Sequence, residues 1–186
     1  MFKRLGTFFL DILQTIVLAL AIFMVVYFFL MQPHQVRGSS MFPNFKDGEY
    51  LLTDKISYRL SNPKRGDVIV FEAPPNRRED FIKRIIGLPG EEITLKKGKI
   101  FVNNSQLNET YLPLSSSTQA GTYLEEEKTT RLKDNEYFVF GDNRNFSSDS
   151  RMWGPIKRED ITGRAFFVYW PPGEVGIIPG ITYARF

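Results

Sequence analysis

The sequence predicts a mostly-β fold, in which a single N-terminal transmembrane helix precedes a domain of antiparallel sheets that close into a barrel-like arrangement. Three observations support this prediction. One long apolar run lies near the N-terminus, helical periodicity is weak in everything that follows, and short runs rich in Val, Ile, Phe and Tyr alternate there with turns that contain Gly or Pro. A chain of 186 residues has room for one membrane segment and one domain of ordinary size.

The apolar run extends from Ile12 to Met31 and is interrupted by only one Gln and one Thr. A helix of this length spans about 30 Å, which is the thickness of the hydrocarbon core of a bilayer. A cleavable signal peptide has a shorter apolar region followed by a small-x-small site, whereas QPHQVRG follows here. We therefore expect a retained signal anchor, with residues 1–11 as a cytoplasmic tail, 12–31 as the membrane span and 32–186 as an extracytoplasmic domain.

The domain after the anchor contains candidate strands bounded by turn-forming pairs such as Asp47-Gly48 and Pro89-Gly90. The candidates cover residues 50–53, 67–71, 81–86, 92–95, 99–102, 136–140 and 164–170. Residues 103–130 are polar, and we expect them to form an inserted flap or a mobile loop between two core strands.

The composition argues against several classes of function. The net charge of +3 is mild and the basic residues are scattered among acidic ones, so no nucleic-acid partner is expected. The absence of cysteine excludes disulfides, thiol catalysis and thiolate metal sites. Because the chain holds one histidine and no spaced acidic loop, we expect neither a metal site nor another cofactor.

Two adjacent serines follow the apolar run, in the stretch RGSSMFPNF from Arg37 to Phe45. A nucleophilic serine needs a base within hydrogen-bonding reach. The only histidine, His34, lies beside Pro33 just beyond the apolar run, where an interfacial or surface position is the simpler interpretation. A Ser-His-Asp triad therefore has little support.

An unprotonated lysine is the alternative base. It requires burial, because desolvation lowers the pKa of an ammonium group from about 10.4. In DFIKRIIGLPGE, residues 80–91, strand alternation places Lys83 on one face and Arg84 on the other, each among apolar neighbours. Only Lys83 could lose its proton, since arginine stays charged in proteins. The other interpretation is a half-buried strand whose two cations reach solvent.

A third stretch, YFVFGDNRNFSSDSRMWGP at residues 137–155, is an apolar strand that runs into a turn rich in Asp, Asn and Ser. The turn is typical of a self-hydrogen-bonding loop with ion pairs such as Asp149 with Arg151. It is also compatible with a rigid support that holds a catalytic side chain in place. Both interpretations can hold together.

The three stretches RGSSMFP, FIKRIIGLPGE and GDNRNFSSDSR, in this order after an anchor, resemble the signature boxes of the type I signal peptidases. These are membrane-bound serine proteases that remove signal peptides from exported proteins. The resemblance extends from the anchor to about Trp170, and the single anchor and compact size resemble the Gram-positive form. It implies a serine endopeptidase of the bacterial cell membrane that cuts preproteins after small residues of the Ala-x-Ala type and needs no cofactor. A monomer is expected, with preproteins and the lipid bilayer as its partners.

The resemblance also assigns roles to individual residues. In that family the nucleophile is the serine directly before the methionine, which is Ser40 here rather than Ser39. The lysine that opens the Lys-Arg-apolar-apolar-Gly motif is the general base, hence Lys83, and Ser147 matches the serine that helps to orient it. The structural residues beside the family's site correspond to Asp142, Asp149 and Arg151.

Two positions depart from the family's pattern. Asn44 stands where Thr or Ala usually follows the proline of the first box, which puts the cleavage preference in doubt. Gly38 stands where some members have a serine whose hydroxyl helps to bind the oxyanion. The backbone N–H of Ser40 and a neighbouring group must then bind the oxyanion.

Three apolar residues follow the nucleophile closely, just beyond the anchor: Met41, Phe42 and Phe45. We expect their side chains to line the substrate cleft or to contact the lipid surface.

Two other functions compete with this interpretation. A self-cleaving, repressor-like Ser-Lys protease would use Ala120-Gly121 as its cut bond. Such proteins carry a DNA-binding domain and are cut before the nucleophile, whereas Ala120-Gly121 lies after Ser40 and we expect no DNA-binding domain here. A membrane-tethered binding module without catalysis would keep its function when Ser40 or Lys83 is changed.

Overall fold

The computed structural model describes residues 2–25, 31–181 and 183 of the chain. Its first element is helix α1 (Phe2–Val25), of which Gly6–Val25 is long and apolar enough to cross a membrane and is not buried against the rest of the protein. This fits the single-pass anchor. Met31, the predicted last residue of the span, begins a strand that contains Pro33. Proline lacks the N–H that a helix needs and disfavours helical backbone at the preceding residue.

From Met31 onward, the described residues form short strands and four short helical turns. The strands are β1 (Met31–Gln35), β2 (Tyr50–Asp54), β3 (Val68–Ala73), β4 (Asn76–Gly87), β5 (Glu92–Lys96), β6 (Lys99–Val102), β7 (Ser105–Gln106), β8 (Thr129–Arg131), β9 (Glu136–Phe140), β10 (Ile156–Lys157), β11 (Ile161–Trp170) and β12 (Gly176–Ile177). Helical turns are α2 (Ser57–Leu60), α3 (Ser150–Trp153) and a 3₁₀ turn at Pro172–Glu174. A further 3₁₀ turn covers Arg158–Asp160.

The strands form two antiparallel sheets, so the mostly-β prediction is confirmed. The larger sheet has the order β1-β2-β11-β3-β4-β9-β10, with β12 paired to β11, and the smaller has the order β7-β6-β5-β8. The barrel-like closure is wrong, because β1 and β10 are the outer strands of the large sheet rather than partners of each other. The sheet therefore keeps open edges, and one of them borders the site.

The polar segment 103–130 is tied to the smaller sheet at both ends. Strand β7 pairs with β6, and β8 pairs with β5. Leu107 and Leu124, from within the segment, are buried in the same apolar cluster as Ile93 and Phe138. The backbone N–H of Thr118 donates to the carbonyl of Gly98 at 3.0 Å. The segment is thus a packed flap whose apolar side chains join the core of the sheets beneath it.

Candidate active site

Ser40 and Lys83 meet at one edge of the large sheet. The Nζ of Lys83 lies 2.8 Å from the Oγ of Ser40, within hydrogen-bonding distance, and donates to the carbonyl of Ile82 at 2.9 Å. The lysine side chain is almost fully buried, with 4% of its surface exposed. A serine hydroxyl next to a buried amine is the arrangement that a nucleophile and its general base require.

Burial sets the protonation of this lysine. Desolvation lowers the pKa of Lys83 to about 8, while the carboxylates of Asp149 and Asp142 oppose the shift. The ammonium form loses most of its hydration in this position, so the neutral amine becomes accessible near physiological pH. The alternative in which both cations of this strand reach solvent is wrong, because Lys83 and Arg84 are both buried.

Ser40 lies in a turn between β1 and β2 that glycine makes possible. Gly38 has φ +82° and its N–H donates to Asp47 Oδ1 at 2.7 Å. A residue with a side chain is strained at this φ, which explains why serine does not fit the local backbone here. The turn continues with the N–H of Phe42 donating to the carbonyl of Ser39 at 3.1 Å.

The turn that follows β9 holds the backbone of Ser39 and Ser40. The N–H of Asn143 donates to the carbonyl of Ser40 at 3.0 Å, and its side-chain Nδ2 donates to the carbonyl of Ser39 at 3.0 Å. A Cβ on Gly141 would lie 2.2 Å from Ser147 Oγ and 2.4 Å from the carbonyl oxygen of Ser40. Sequence reasoning missed Gly141 and Asn143; the only available signal was a glycine directly after an apolar strand.

Asp142 is held by Arg84, the neighbour of Lys83 on β4. Arg84 donates from Nε to Asp142 Oδ1 at 2.8 Å and from Nη2 to Asp142 Oδ2 at 2.6 Å, and both side chains are buried. Its Nη1 donates to the carbonyl of Gly66 at 2.9 Å, and the guanidinium lies 4.4 Å from the centre of the Tyr111 ring. This bidentate geometry needs arginine, because a lysine offers only a point charge.

Asp149 and Arg151 form the ion pair that the sequence suggested. Arg151 donates from Nε to Oδ1 at 2.8 Å and from Nη2 to Oδ2 at 2.7 Å. The same carboxylate caps the start of α3 and accepts from the N–H of Gly141 at 3.0 Å. Asp149 therefore holds the turn in which Gly141 lies against the backbone of Ser40.

Ser147 lies beside Gly141, but its predicted contact with the lysine is not formed. Its Oγ is buried and has no hydrogen-bond partner among the residues that the structure describes. The role of Ser147 in orienting Lys83 therefore stays a prediction. A buried hydroxyl without a partner is uncommon in folded proteins.

Asn44 connects the turn that contains Ser40 to the flap. Its Nδ2 donates to Asp142 Oδ2 at 2.8 Å and to the backbone carbonyl of Tyr111 at 3.1 Å. The flap is fixed from the other side by Arg144, which donates from Nη1 to Thr118 Oγ1 at 2.6 Å and to Glu109 Oε2 at 3.0 Å. The position that departs from the family's pattern thus carries two hydrogen bonds that hold the flap near the site.

An open groove of about 670 Å³ begins at Ser40 and Lys83 and extends between β1 and β4. Its apolar lining includes Val36, Leu51, Val70, Phe81 and Ile82. The expectation that Met41 and Phe45 line the cleft or contact lipid is wrong, because both side chains are buried in the core beneath this lining. Phe42 differs from them and is half exposed.

His34 is not the interfacial or surface residue that was expected. It lies on β1 in the wall of the groove, with 13% of its side chain exposed. Its Nδ1 is 2.9 Å from Thr53 Oγ1, and its Nε2 is 3.4 Å from Asp80 Oδ2. Its polar neighbours are therefore Thr53 and Asp80, not Ser40. Within residues 2–25, 31–181 and 183, no cluster of three His, Asp or Glu side chains could hold a metal ion.

Comparisons with known proteins agree on one family. The family model described as "Signal peptidase, peptidase S26" matches residues 9–170. "Probable signal peptidase I-2" of Synechocystis sp. is 36% identical over 174 residues, which cover 91% of this chain and 77% of that protein. "Signal peptidase IB" of Staphylococcus aureus is 32% identical over 176 residues, which cover 89% of this chain and 91% of that protein. A crystal structure of a signal peptidase I from Enterococcus faecalis V583 is 30% identical, with a TM-score of 0.47, and the match covers 56% of this chain and 97% of that one.

Proposed function

Because the chain belongs to the signal peptidase family, peptidase S26, we propose that it cuts signal peptides from preproteins with Ser40 as the nucleophile and Lys83 as the general base. The removal of signal peptides is the activity of the family. The observation that carries the assignment within this chain is the 2.8 Å contact between Ser40 Oγ and the buried Nζ of Lys83. Histidine has no part in this mechanism.

Acylation begins with neutral Lys83. Its amine accepts the proton of the Ser40 hydroxyl while Oγ attacks the carbonyl carbon of the scissile bond, so that a tetrahedral oxyanion forms. The lysine, now charged, donates the same proton to the nitrogen of the leaving chain. The C–N bond breaks, the mature protein leaves, and the signal peptide stays bound to Ser40 as an ester.

The oxyanion is stabilised by the backbone N–H of Ser40. Among the hydrogen bonds of the residues that the structure describes, none uses this N–H as a donor, which supports its availability to the substrate. The contacts of Asn143 with the carbonyls of Ser39 and Ser40 keep this peptide segment in place before the substrate arrives. Such preorganised donors need no rearrangement when the charge develops.

Deacylation repeats the proton transfer with water. Lys83, neutral again after protonating the leaving amine, accepts a proton from a water molecule whose oxygen attacks the ester carbonyl. The proton then returns to Ser40 Oγ, and the signal peptide leaves with a free carboxylate. No cofactor takes part in either half of the reaction.

The substrate is a preprotein with small residues of the Ala-x-Ala type before the cut. The groove supports an apolar preference, because Val36, Leu51, Val70 and Ile82 contribute to its lining. We propose that the N-terminus is cytoplasmic, the domain extracytoplasmic and the protein a monomer of the bacterial membrane. The exposed ring of Phe42 is a candidate for contact with lipid.

The test is cleavage of an Ala-x-Ala preprotein by the full chain in detergent micelles. Ser40→Ala and Lys83→Ala should each abolish detectable cleavage, whereas Ser39→Ala, whose carbonyl rather than hydroxyl is used, should retain it. Full activity of a folded Lys83→Ala protein would overturn the assignment of the base. A folded unaltered chain that cleaves nothing would favour the binding module instead.

A further inference from the structure

Strand β1 is the element by which the membrane anchor joins the folded domain. Helix α1 is described as far as Val25, and β1 begins at Met31. Because an extended chain covers at most 3.3–3.6 Å per residue, the chain from Val25 to Met31 spans no more than about 22 Å. The start of β1 therefore lies close to the bilayer surface from which the anchor emerges.

A basic loop lies beside the start of β1. This loop, residues 55–65, reads KISYRLSNPKR and contains four basic residues and no acidic one. It follows β2 directly, and in the register of β1 with β2 the residue opposite Met31 is Asp54, which precedes the loop. The Nζ of Lys55 donates to Gln32 Oε1 on β1 at 3.2 Å. The basic loop is thus held at the point where the anchor joins the domain.

Internal hydrogen bonds fix the backbone of the basic loop. At its start, Asp54 Oδ1 accepts from the N–H of Ser57 at 3.0 Å. Beyond its end, Asp67 Oδ2 accepts from the hydroxyl of the buried Tyr58 at 2.7 Å and from the N–H of Lys64 at 2.9 Å. The two carboxylates that flank the loop therefore bind donors of its own backbone and core, and the loop has a defined outer surface.

The outer surface of the loop combines three cations with one apolar side chain. Arg59 and Lys64 are exposed and Lys55 is half-buried. Among the ion pairs of the described residues, none involves these three side chains, whereas Arg65 already has a carboxylate partner. Between the cations, Leu60 is 85% exposed. Cations around an exposed apolar side chain suit a surface that is anionic outside and apolar beneath.

We propose that the basic loop docks on anionic phospholipid headgroups beside the anchor, with Lys55, Arg59 and Lys64 at the phosphates and Leu60 at the boundary of the acyl chains. The inference rests on the membrane attachment in the proposed function and not on catalysis. Each basic side chain near an anionic surface favours docking about fivefold, so the three together favour it about a hundredfold. Docking gives the domain a second attachment and restricts its rotation about the anchor, which keeps the groove in one orientation relative to the bilayer.

The experiment measures contact between the loop and lipid in the full chain. Because the chain has no cysteine, Leu60→Cys provides a single site for a fluorophore, and Leu114→Cys provides the same label on an exposed residue of the flap. Each protein is reconstituted into vesicles of phosphatidylcholine, alone or mixed with phosphatidylglycerol, whose brominated acyl chains quench the label on contact. We expect strong quenching of the loop label in anionic vesicles only, and weaker quenching at high salt. Changing Lys55, Arg59 or Lys64 to Gln should each lower the ratio of docked to undocked loop about fivefold.

A charge-matched control removes three cations from the smaller sheet: Lys96→Gln, Lys97→Gln and Lys99→Gln together. Three results would overturn the proposal: equal quenching of the loop label in both kinds of vesicle, equal quenching of the loop and flap labels, or the same loss in the control as in the loop variants. Hydrogen exchange of the amides of residues 55–64 in the unlabelled chain repeats the comparison of the two vesicle types if a labelled variant does not fold. Failure of the proposed function is distinguishable, because cleavage of an Ala-x-Ala peptide is measured separately in the same vesicles.

Discussion

Lys83 and Arg84 are neighbours on β4, yet their side chains lie in opposite electrostatic surroundings. Arg84 makes two short hydrogen bonds to the carboxylate of Asp142, whereas Lys83 has the hydroxyl of Ser40 and the carbonyl of Ile82 as its hydrogen-bond partners. Strand alternation separates the two cations. The strand thereby keeps one of them charged and allows the other to become neutral.

The rate should depend on pH through Lys83. The pKa of this amine is lowered to about 8, and only its neutral form can accept the serine proton. We expect kcat/KM to rise about tenfold per pH unit below pH 8 and to level off above it, since protonation removes the base as pH falls. The measurement is kcat/KM for an Ala-x-Ala peptide between pH 5.5 and 9.5. A profile that is already flat at pH 6 would contradict a lysine base.

Arg84→Met should unfold or severely destabilise the protein. The change leaves the Asp142 carboxylate buried without its partner, and breaking a buried ion pair in this way costs about 3–5 kcal/mol. Chemical denaturation measures the loss. Arg131→Met is the control, because Arg131 and its partner Glu92 are 76% and 48% exposed and exposed ion pairs contribute about 0–1 kcal/mol. Similar losses in the two variants would show that the Arg84 pair has no special role.

Gly141→Ala should reduce kcat about a hundredfold, while the protein stays folded. The new Cβ would lie 2.4 Å from the carbonyl oxygen of Ser40, so the nucleophile must shift, and small displacements of reacting groups have effects of this size. Steady-state kinetics with an Ala-x-Ala peptide provides the measurement. Gly173→Ala, where a Cβ meets nothing within 4 Å, should behave like the unaltered chain. Unchanged kcat in Gly141→Ala would mean that the turn after β9 does not position Ser40.

Asn44→Ala should loosen the flap. The variant loses the hydrogen bond to the charged Asp142 carboxylate and the bond to the Tyr111 carbonyl, at a cost of about 1–3 kcal/mol. Hydrogen exchange of the flap amides should become faster, and the free energy of unfolding should fall. Asn62→Ala is the comparison, since Asn62 is exposed. Flap protection that is equal in both variants would disprove the connection.

Local patterns in the sequence predicted strands of both sheets. The runs at 50–53, 92–95, 99–102 and 136–140 are apolar or β-branched stretches between turns, and each became a strand at or near those bounds. Strand β1 could not be predicted in this way. Its sequence, MQPHQ, has no alternation and contains proline, and it is a strand only because β2 pairs with it.

The proximity of Ser40 and Lys83, 2.8 Å apart, could be predicted because both residues lie in distinctive motifs, but the surroundings of the two residues could not. The pairing of Arg84 with Asp142 joins residues 58 positions apart, and no local pattern identifies a partner at that distance. The requirement for glycine at position 141 arises from the carbonyl of Ser40 approaching from another loop. The contact of His34 with Asp80 likewise exists only because two strand edges face each other.

Strand β9 pairs with β4 only from Arg84 to Gly87, and the edge of β4 that stays open before Lys83 affects how copies of this protein meet one another. An unpaired strand edge can accept a strand from any chain, including a second copy, and sheets that join in this way aggregate. Here four consecutive charged residues, Arg77 to Asp80, precede the apolar part of that edge, and all four are exposed. Charged side chains on an open edge oppose its pairing with an identical edge. These four charges therefore oppose edge-to-edge pairing of two copies while no substrate is bound. Replacing them with β-branched apolar residues should produce fibrils or dimers joined edge to edge.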